Sequence, residues 1–298
     1  MKNLSIEVFA EQALLCGEGP VWDEATGSLF WTDCLGDEIY HSSATEKKWV
    51  VLSKGIKAAS LTLHVNGGLL CCGANGFFRL DKNGTVHLLN NKTGDIKATL
   101  VNDIIADPVG RVFGGQESFS DDTPDKTGFL FRMDIDGSIN IVEDGLHLSN
   151  GMGFSPDCTK FYLVDTIPGK IYQYDFNVLT GNISTKKLFV TIPKSEGLPD
   201  GMTVDAAGFL WVARWFGYGL SRYDPDGKLE RTITLPAAQI SSLTFGGKDY
   251  NQLYITSAAM HWETSLAPDF HNYKTYRGGK VYRVIQDIQG KAEFKASI

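Results

Sequence analysis

Short apolar runs, broken at near-regular intervals by glycine and acidic turns, recur along the chain as one repeated unit. Four copies are plain: EGPVWDEATGSLFWTD from Glu18, NDIIADPVGRVFGG from Asn102, NGMGFSPDCTKFYLVD from Asn150 and DGMTVDAAGFLWVAR from Asp200. Each starts on a polar residue, runs through an apolar-rich segment and meets an aspartate near a turn (Asp23, Asp107, Asp157 or Asp205). A second apolar strand follows at once. Two weaker copies fill the gaps, SLTLHVNGGLLCCG from Ser60 and SLTFGGKDYNQLYITSA from Ser242 with Ser241 before it. Starts at 18, 60, 102, 150, 200 and 241 lie 42, 42, 48, 50 and 41 residues apart. A period in the forties holding several short strands is the mark of propeller blades.

The later strands of each unit are legible too. Segments 130–143 and 220–233 read as hairpins turning at Asp136-Gly137 and Asp226-Gly227, and FFRLDKNGTVHLL turns at Asn83-Gly84. Blade four carries a longer hairpin around Thr180-Gly181. The Asp-x-Asp-Gly segments lack the remaining positions of a calcium loop and are more simply turns. No stretch has helical periodicity over 11 residues, so crossover helices for a β/α/β fold are missing. The prediction is an all-β, six-bladed propeller spanning residues 1–298 as one domain. Its ring is closed by pairing of the N-terminal strand SIEVFAEQALL with the last blade. GGKVYRVI and then KAEFKA are expected to supply that blade's last strands. Segments 116–128 and 258–279 read as excursions over one face.

Composition narrows the partners. The chain has 298 residues, 32 of them glycine, with 17 Phe, 11 Tyr and 6 Trp, which suits strands and tight turns. A formal charge of -7 without a basic stripe argues against a nucleic-acid surface. No segment approaches 18 uninterrupted apolar residues, and Glu7 and Glu11 break any signal-peptide core, so no membrane partner is expected. Five cysteines without C-x-x-C spacing read as free thiols in a reducing compartment, and the expectation is a cytoplasmic monomer or weak homo-oligomer.

Chemistry in a propeller gathers where the innermost strands begin, around the axis. The six starts are Glu18, Ser60, Asn102, Asn150, Asp200 and Ser241. Any one of these polar side chains is explained by capping the first N–H groups of a strand. Glu18 and Asp200 together are harder to explain so, because ring closure would bring two carboxylates together in a desolvated funnel. With two amide oxygens they make a hard-oxygen donor set for Ca²⁺, Mg²⁺ or Mn²⁺, with Zn²⁺ also possible. No G-x-S-x-G elbow, P-loop, dinucleotide fingerprint or paired-histidine motif is present.

At these residues the chain resembles the SMP-30/gluconolactonase/luciferin-regenerating family. The motifs that carry the resemblance, in order, are GEGPVWD (17–23), ND with ADPVGR (102–111), LSNGMGFSPD (148–157), LPDGMTVDAAGFLWVA (198–213), LTFGGKDYNQLYITSA (243–258) and GGKVYRV (278–284). The resemblance implies one divalent metal ion held by Glu18, Asn150 and Asp200, with Asn102 beside it holding a small-molecule substrate. It also implies hydrolysis of a lactone by carbonyl polarisation and water attack, for which Asp200 is the expected base. Two departures bear on the substrate. Leu100 stands where sugar-lactone members usually have Arg, and the strand after Gly110-Arg111 reads GGQESFS instead of running into G-T-M. With Leu100 in place of a charged fork, and Phe119, Trp215 and Phe216 expected at the rim, the pocket should be less polar, and Glu117 is a candidate replacement contact. The alternatives are a non-catalytic calcium- or ligand-binding propeller, and an esterase or phosphotriesterase with a non-lactone substrate.

Overall fold

The computed structural model describes residues 5–43, 48–73, 76–89, 101–116 and 128–298. Among these, twenty-four strands form six four-stranded antiparallel sheets. Five sheets take their strands in sequence order. The sixth has the order Ser5–Ala10, Val281–Ile285, Gln252–Ser257, Ile240–Gly246, so the N-terminal strand is the outer edge of the last blade. Ile6 pairs with Val284 and Val8 with Tyr282, which closes the ring without a covalent link.

The inner strands are Gly17–Asp23, Ala58–Leu63, Val101–Ala106, Ser149–Phe154, Leu198–Val204 and Ile240–Gly246. Apolar clusters fill the wedges between adjacent sheets. Trp22, Trp31, Phe9 and Tyr254 join the first blade to the last, and Phe113, Phe154 and Phe161 join blades three and four. The recurring turn aspartate has a clear role. Asp107 Oδ1 accepts from the N–H groups of Val109, Gly110 and Arg111, and Asp205 Oδ1 from those of Ala207 and Phe209. The side chain supplies acceptors that the tight turn cannot, which is why the residue repeats with the blades. The Asp-Gly hairpins are one residue looser than a two-residue turn. The Asp134 N–H donates to the carbonyl of Ser138, and only Gly137 takes positive φ, at 81°.

One expectation is corrected. KAEFKA is not a strand of the sixth blade. After Ile285 the chain crosses the end of the propeller where the inner strands finish. The Ala206 N–H donates to Gln289 O, the Ala296 N–H to Leu63 O and the Ser297 N–H to Gly110 O, so the tail ties the sixth blade to the fifth, second and third. Phe294 packs against Phe154, and Glu293 accepts from the Thr203 hydroxyl at 2.9 Å and lines the cavity between the inner strands. The fourth-strand position that KAEFKA was expected to fill belongs to Ser5–Ala10.

Candidate active site

Every inner strand breaks register near its upper end: between Glu18 and Val21, Ala58 and Ser60, Val101 and Asp103, Ser149 and Met152, Pro199 and Met202, and Ile240 and Leu243. A bulge bends a strand and re-aims the side chains beside it. Six of them in a ring therefore turn polar residues toward the axis, where regular alternation would place them between sheets. Glycine follows Glu18, Asn150 and Asp200 for a steric reason. A Cβ on Gly151 would lie 2.3 Å from the Met202 backbone nitrogen, so the neighbouring inner strands approach this closely only without one.

The strand starts open into a cavity of about 310 Å³. Its floor is Glu18, Asn102, Asn150, Thr166 and Asp200; its wall is Leu148, Leu198, Trp215, Met260 and Trp262, with Cys16 and Cys34 between. The Asn150 Nδ2 donates to the Thr166 hydroxyl at 3.2 Å, and the Asn150 side chain also bonds to Asp200. Asn102 is held weakly, its Nδ2 lying 3.5 Å from Ser149 O. Cys34 N–H donates to Cys16 O at 3.0 Å, and the two thiols are hydrogen-bonded to each other in the wall.

The electrostatics of the floor are strained. Burial raises the pKa of Glu18 well above the usual carboxylate range, and the carboxylate of Asp200 adds to it. Asp200 is raised in the same way, by burial and then by Asp103, against the lowering effect of Asn150 and the Gly201 N–H. Asp103 itself, on the channel side of the bulge, accepts from Ser60 Oγ at 2.6 Å and from the Ile104 N–H at 2.8 Å. Burial pushes it up to about 6. Among the described residues no lysine, arginine or histidine lines the cavity. Nor does any trio of His, Cys, Asp and Glu side chains gather into a metal cluster among them. The donor set is two carboxylates and carboxamide oxygens, with negative charge that no described side chain compensates, and this chemistry fits a hard divalent cation.

A carboxyl whose folded pKa is raised contributes stability that is complete below its unfolded value, near 4, and is lost as pH rises through the folded value. In chelator the melting temperature should therefore rise by several degrees between pH 7.5 and 5.5, the interval that spans Asp103 at about 6. A divalent cation at pH 7.5 should raise it as well and flatten the dependence. A melting temperature that is flat with pH in chelator would show that the three carboxyls do not repel as described.

Of the residues predicted from sequence, Glu18, Asn102, Asn150, Asp200 and Trp215 line this one cavity. Phe216 lies behind the wall, fully buried and stacked on Trp262 at 5.8 Å. Leu100, Glu117 and Phe119 fall outside the described residues. Sequence reasoning missed Met260, Trp262, Leu148 and Leu198. The first two arrive on the 258–279 excursion, where the Gln239 Nε2 donates to the carbonyls of Ala258 and Met260, both at 3.0 Å.

Residues 16–259, most of the chain and all five floor residues, match the SMP-30/gluconolactonase/LRE-like region. The chain belongs to this family. It is 33% identical to the pentonolactonase XacC of Haloferax volcanii over 95% of its own length and 94% of the relative's. It is 31% identical to regucalcin of Oryctolagus cuniculus over 94% of each chain. A solved luciferin-regenerating enzyme superposes with a TM-score of 0.90 at 25% identity, covering 99% of this chain and 100% of the other. In this chain a floor of carboxylates and carboxamides lies beneath an aromatic and aliphatic wall.

Proposed function

We propose that the cavity is the active centre of a divalent-metal-dependent hydrolase that opens a lactone. The observation that carries the reading is the pair Glu18 and Asp200, one half-buried and one buried, both carboxyls raised well above the usual range and without a cationic partner among the described residues. Glu18, Asn150 and Asp200 would hold the ion, which when bound supplies Lewis-acid polarisation of a carbonyl. Asn102, whose carboxamide is only loosely engaged in the cavity lining, would hold a substrate oxygen beside it. Asp200 is assigned to take the proton of the attacking water, with Glu18 as the runner-up. Among the described residues no histidine lines the cavity to activate a thiol, and the hydrogen bond with Cys34, together with burial, raises Cys16 well above the ordinary thiol range, so direct attack by water is the route these residues support. A family relative that bears the name pentonolactonase agrees with the substrate class.

The test is a panel of sugar lactones, aliphatic lactones, aryl esters and phosphotriesters, each run with Mg²⁺, Mn²⁺, Ca²⁺, Zn²⁺ and chelator. Lactone turnover that chelator abolishes is expected. A flat panel would favour a binding propeller, and preferential phosphotriester turnover a different hydrolase. Independently of turnover, Glu18→Gln should lower divalent-metal affinity at least about tenfold, read by metal content after dialysis and by titration calorimetry. Unchanged stoichiometry and affinity would remove Glu18 from the ligand set.

A further inference from the structure

The cavity wall carries information about the substrate beyond the reaction type. Resting on the lactonase reading, we infer that the substrate is a lactone bearing an alkyl substituent, seated against Trp215, Met260 and Trp262. Above the floor the described lining offers Leu148, Leu198, Met260, two indoles and the thiols of Cys16 and Cys34, and the only hydroxyl in the described lining is that of Thr166 on the floor, whose oxygen accepts from Asn150. Apart from any hydroxyl that reaches the unpaired Trp215 indole N–H, a polyhydroxylated ring placed here would bury its hydroxyls against carbon, and each one left without a partner opposes binding. An alkyl chain meets the opposite situation, because every methylene removed from water contributes favourably.

The wall is also set in advance. Trp262 stacks on Phe216 and meets Trp215 edge-on at 6.3 Å, while Phe216 is backed by His271 at 4.5 Å and Tyr273 at 6.3 Å. The Arg277 Nε donates to Ala259 O at 2.8 Å, and the Tyr273 hydroxyl to Thr264 O at 3.0 Å, pinning the segment that carries Met260 and Trp262. A wall ordered by the fold spends no binding free energy on being ordered by ligand. At about 310 Å³ the cavity is at the small end for ligand sites, so it suits one ring and a short chain.

The experiment is a homologous series of γ-alkyl γ-lactones, from methyl to hexyl, compared with glucono-δ-lactone at saturating divalent metal. The value of kcat/KM should climb about threefold per methylene over the first members and then level off as the cavity fills. Trp262→Ala should flatten the slope, and Met260→Ala should do so if the tryptophan variant folds poorly. Turnover with a flat or falling series, and gluconolactone ahead, would overturn the inference while leaving the hydrolase intact. A second arm needs no turnover. The matching γ-alkyl lactams, which resist hydrolysis, should quench tryptophan fluorescence saturably, with Kd falling along the series. If no lactone is hydrolysed the reaction assignment fails, and the lactams alone decide: chain-dependent binding supports the alkyl seat, and no saturable quenching at any length refutes it.

Discussion

Replacing Asp205 with alanine should destabilise the propeller by about 3–5 kcal/mol, the range for removing one partner of a buried ion pair. Asp205 is fully buried. Its Oδ1 accepts the two turn N–H groups, and its Oδ2 accepts from Arg222 Nε at 2.9 Å, Arg222 Nη2 at 2.6 Å and Trp211 Nε1 at 3.0 Å. Arg222 lies over the Phe209 ring at 3.6 Å and has one other carboxylate, Glu230, on its Nη1. Without Asp205 the guanidinium keeps its charge, its burial and only that peripheral partner, and five donors lose an acceptor together. Asp224 opens the next hairpin of the same blade with the same kind of turn, but it is partly exposed and bonds only the N–H groups of Asp226 and Lys228. Asp224→Ala should cost about 1 kcal/mol, because water can take over. Urea titration of both variants decides the point. Equal losses would mean that the turn, and not the buried pair, is what Asp205 contributes.

The blade repeat was readable because each copy needs the same three things: an inner strand, a turn with extra acceptors and a second strand. Asp107 and Asp205 show why the turn residue cannot drift. The floor of the cavity was readable for a related reason. Ring closure forces the starts of the inner strands together whatever the loops do, so a polar residue at each start is a prediction about one place. The bulges were not readable as such, although Glu18-Gly19, Asn150-Gly151 and Asp200-Gly201 share a polar residue followed by glycine that would have marked them. The wall was out of reach. Trp262 arrives about sixty residues after Asp200 on a segment with no periodicity, and its position rests on aromatic contacts with Phe216, which local pattern does not encode. The tail failed for the opposite reason. KAEFKA alternates like a strand, but the edge it would have joined is already taken by Ser5–Ala10.

Asp200→Asn should lower kcat on a lactone by about 10²–10⁴ at saturating divalent metal, the usual loss when a positioned base is removed. The substitution is close to isosteric, and its Oδ1 can still accept the Gly201 N–H that Asp200 holds, so the strand start should keep its shape. What disappears is a buried negative charge facing Glu18 and Asp103. The two consequences run in opposite directions. In chelator the variant should melt higher than the wild type at pH 7.5, because the repulsion among the floor carboxyls is relieved. In the assay it should be nearly inert. A purely structural role for Asp200 would move both quantities downward, so the pair of measurements separates the cases. Ligation and proton transfer are separated by the metal titration. If turnover of the Asn variant returns to near the wild-type rate once metal is saturating, Asp200 acts only as a ligand and the base must be sought elsewhere, at Glu18 or through acidification of the attacking water by the metal. If kcat stays low while the metal-binding curve is merely shifted, the missing function is proton removal. Glu18→Gln run beside it should then show the converse, a larger shift in metal affinity than in saturated kcat.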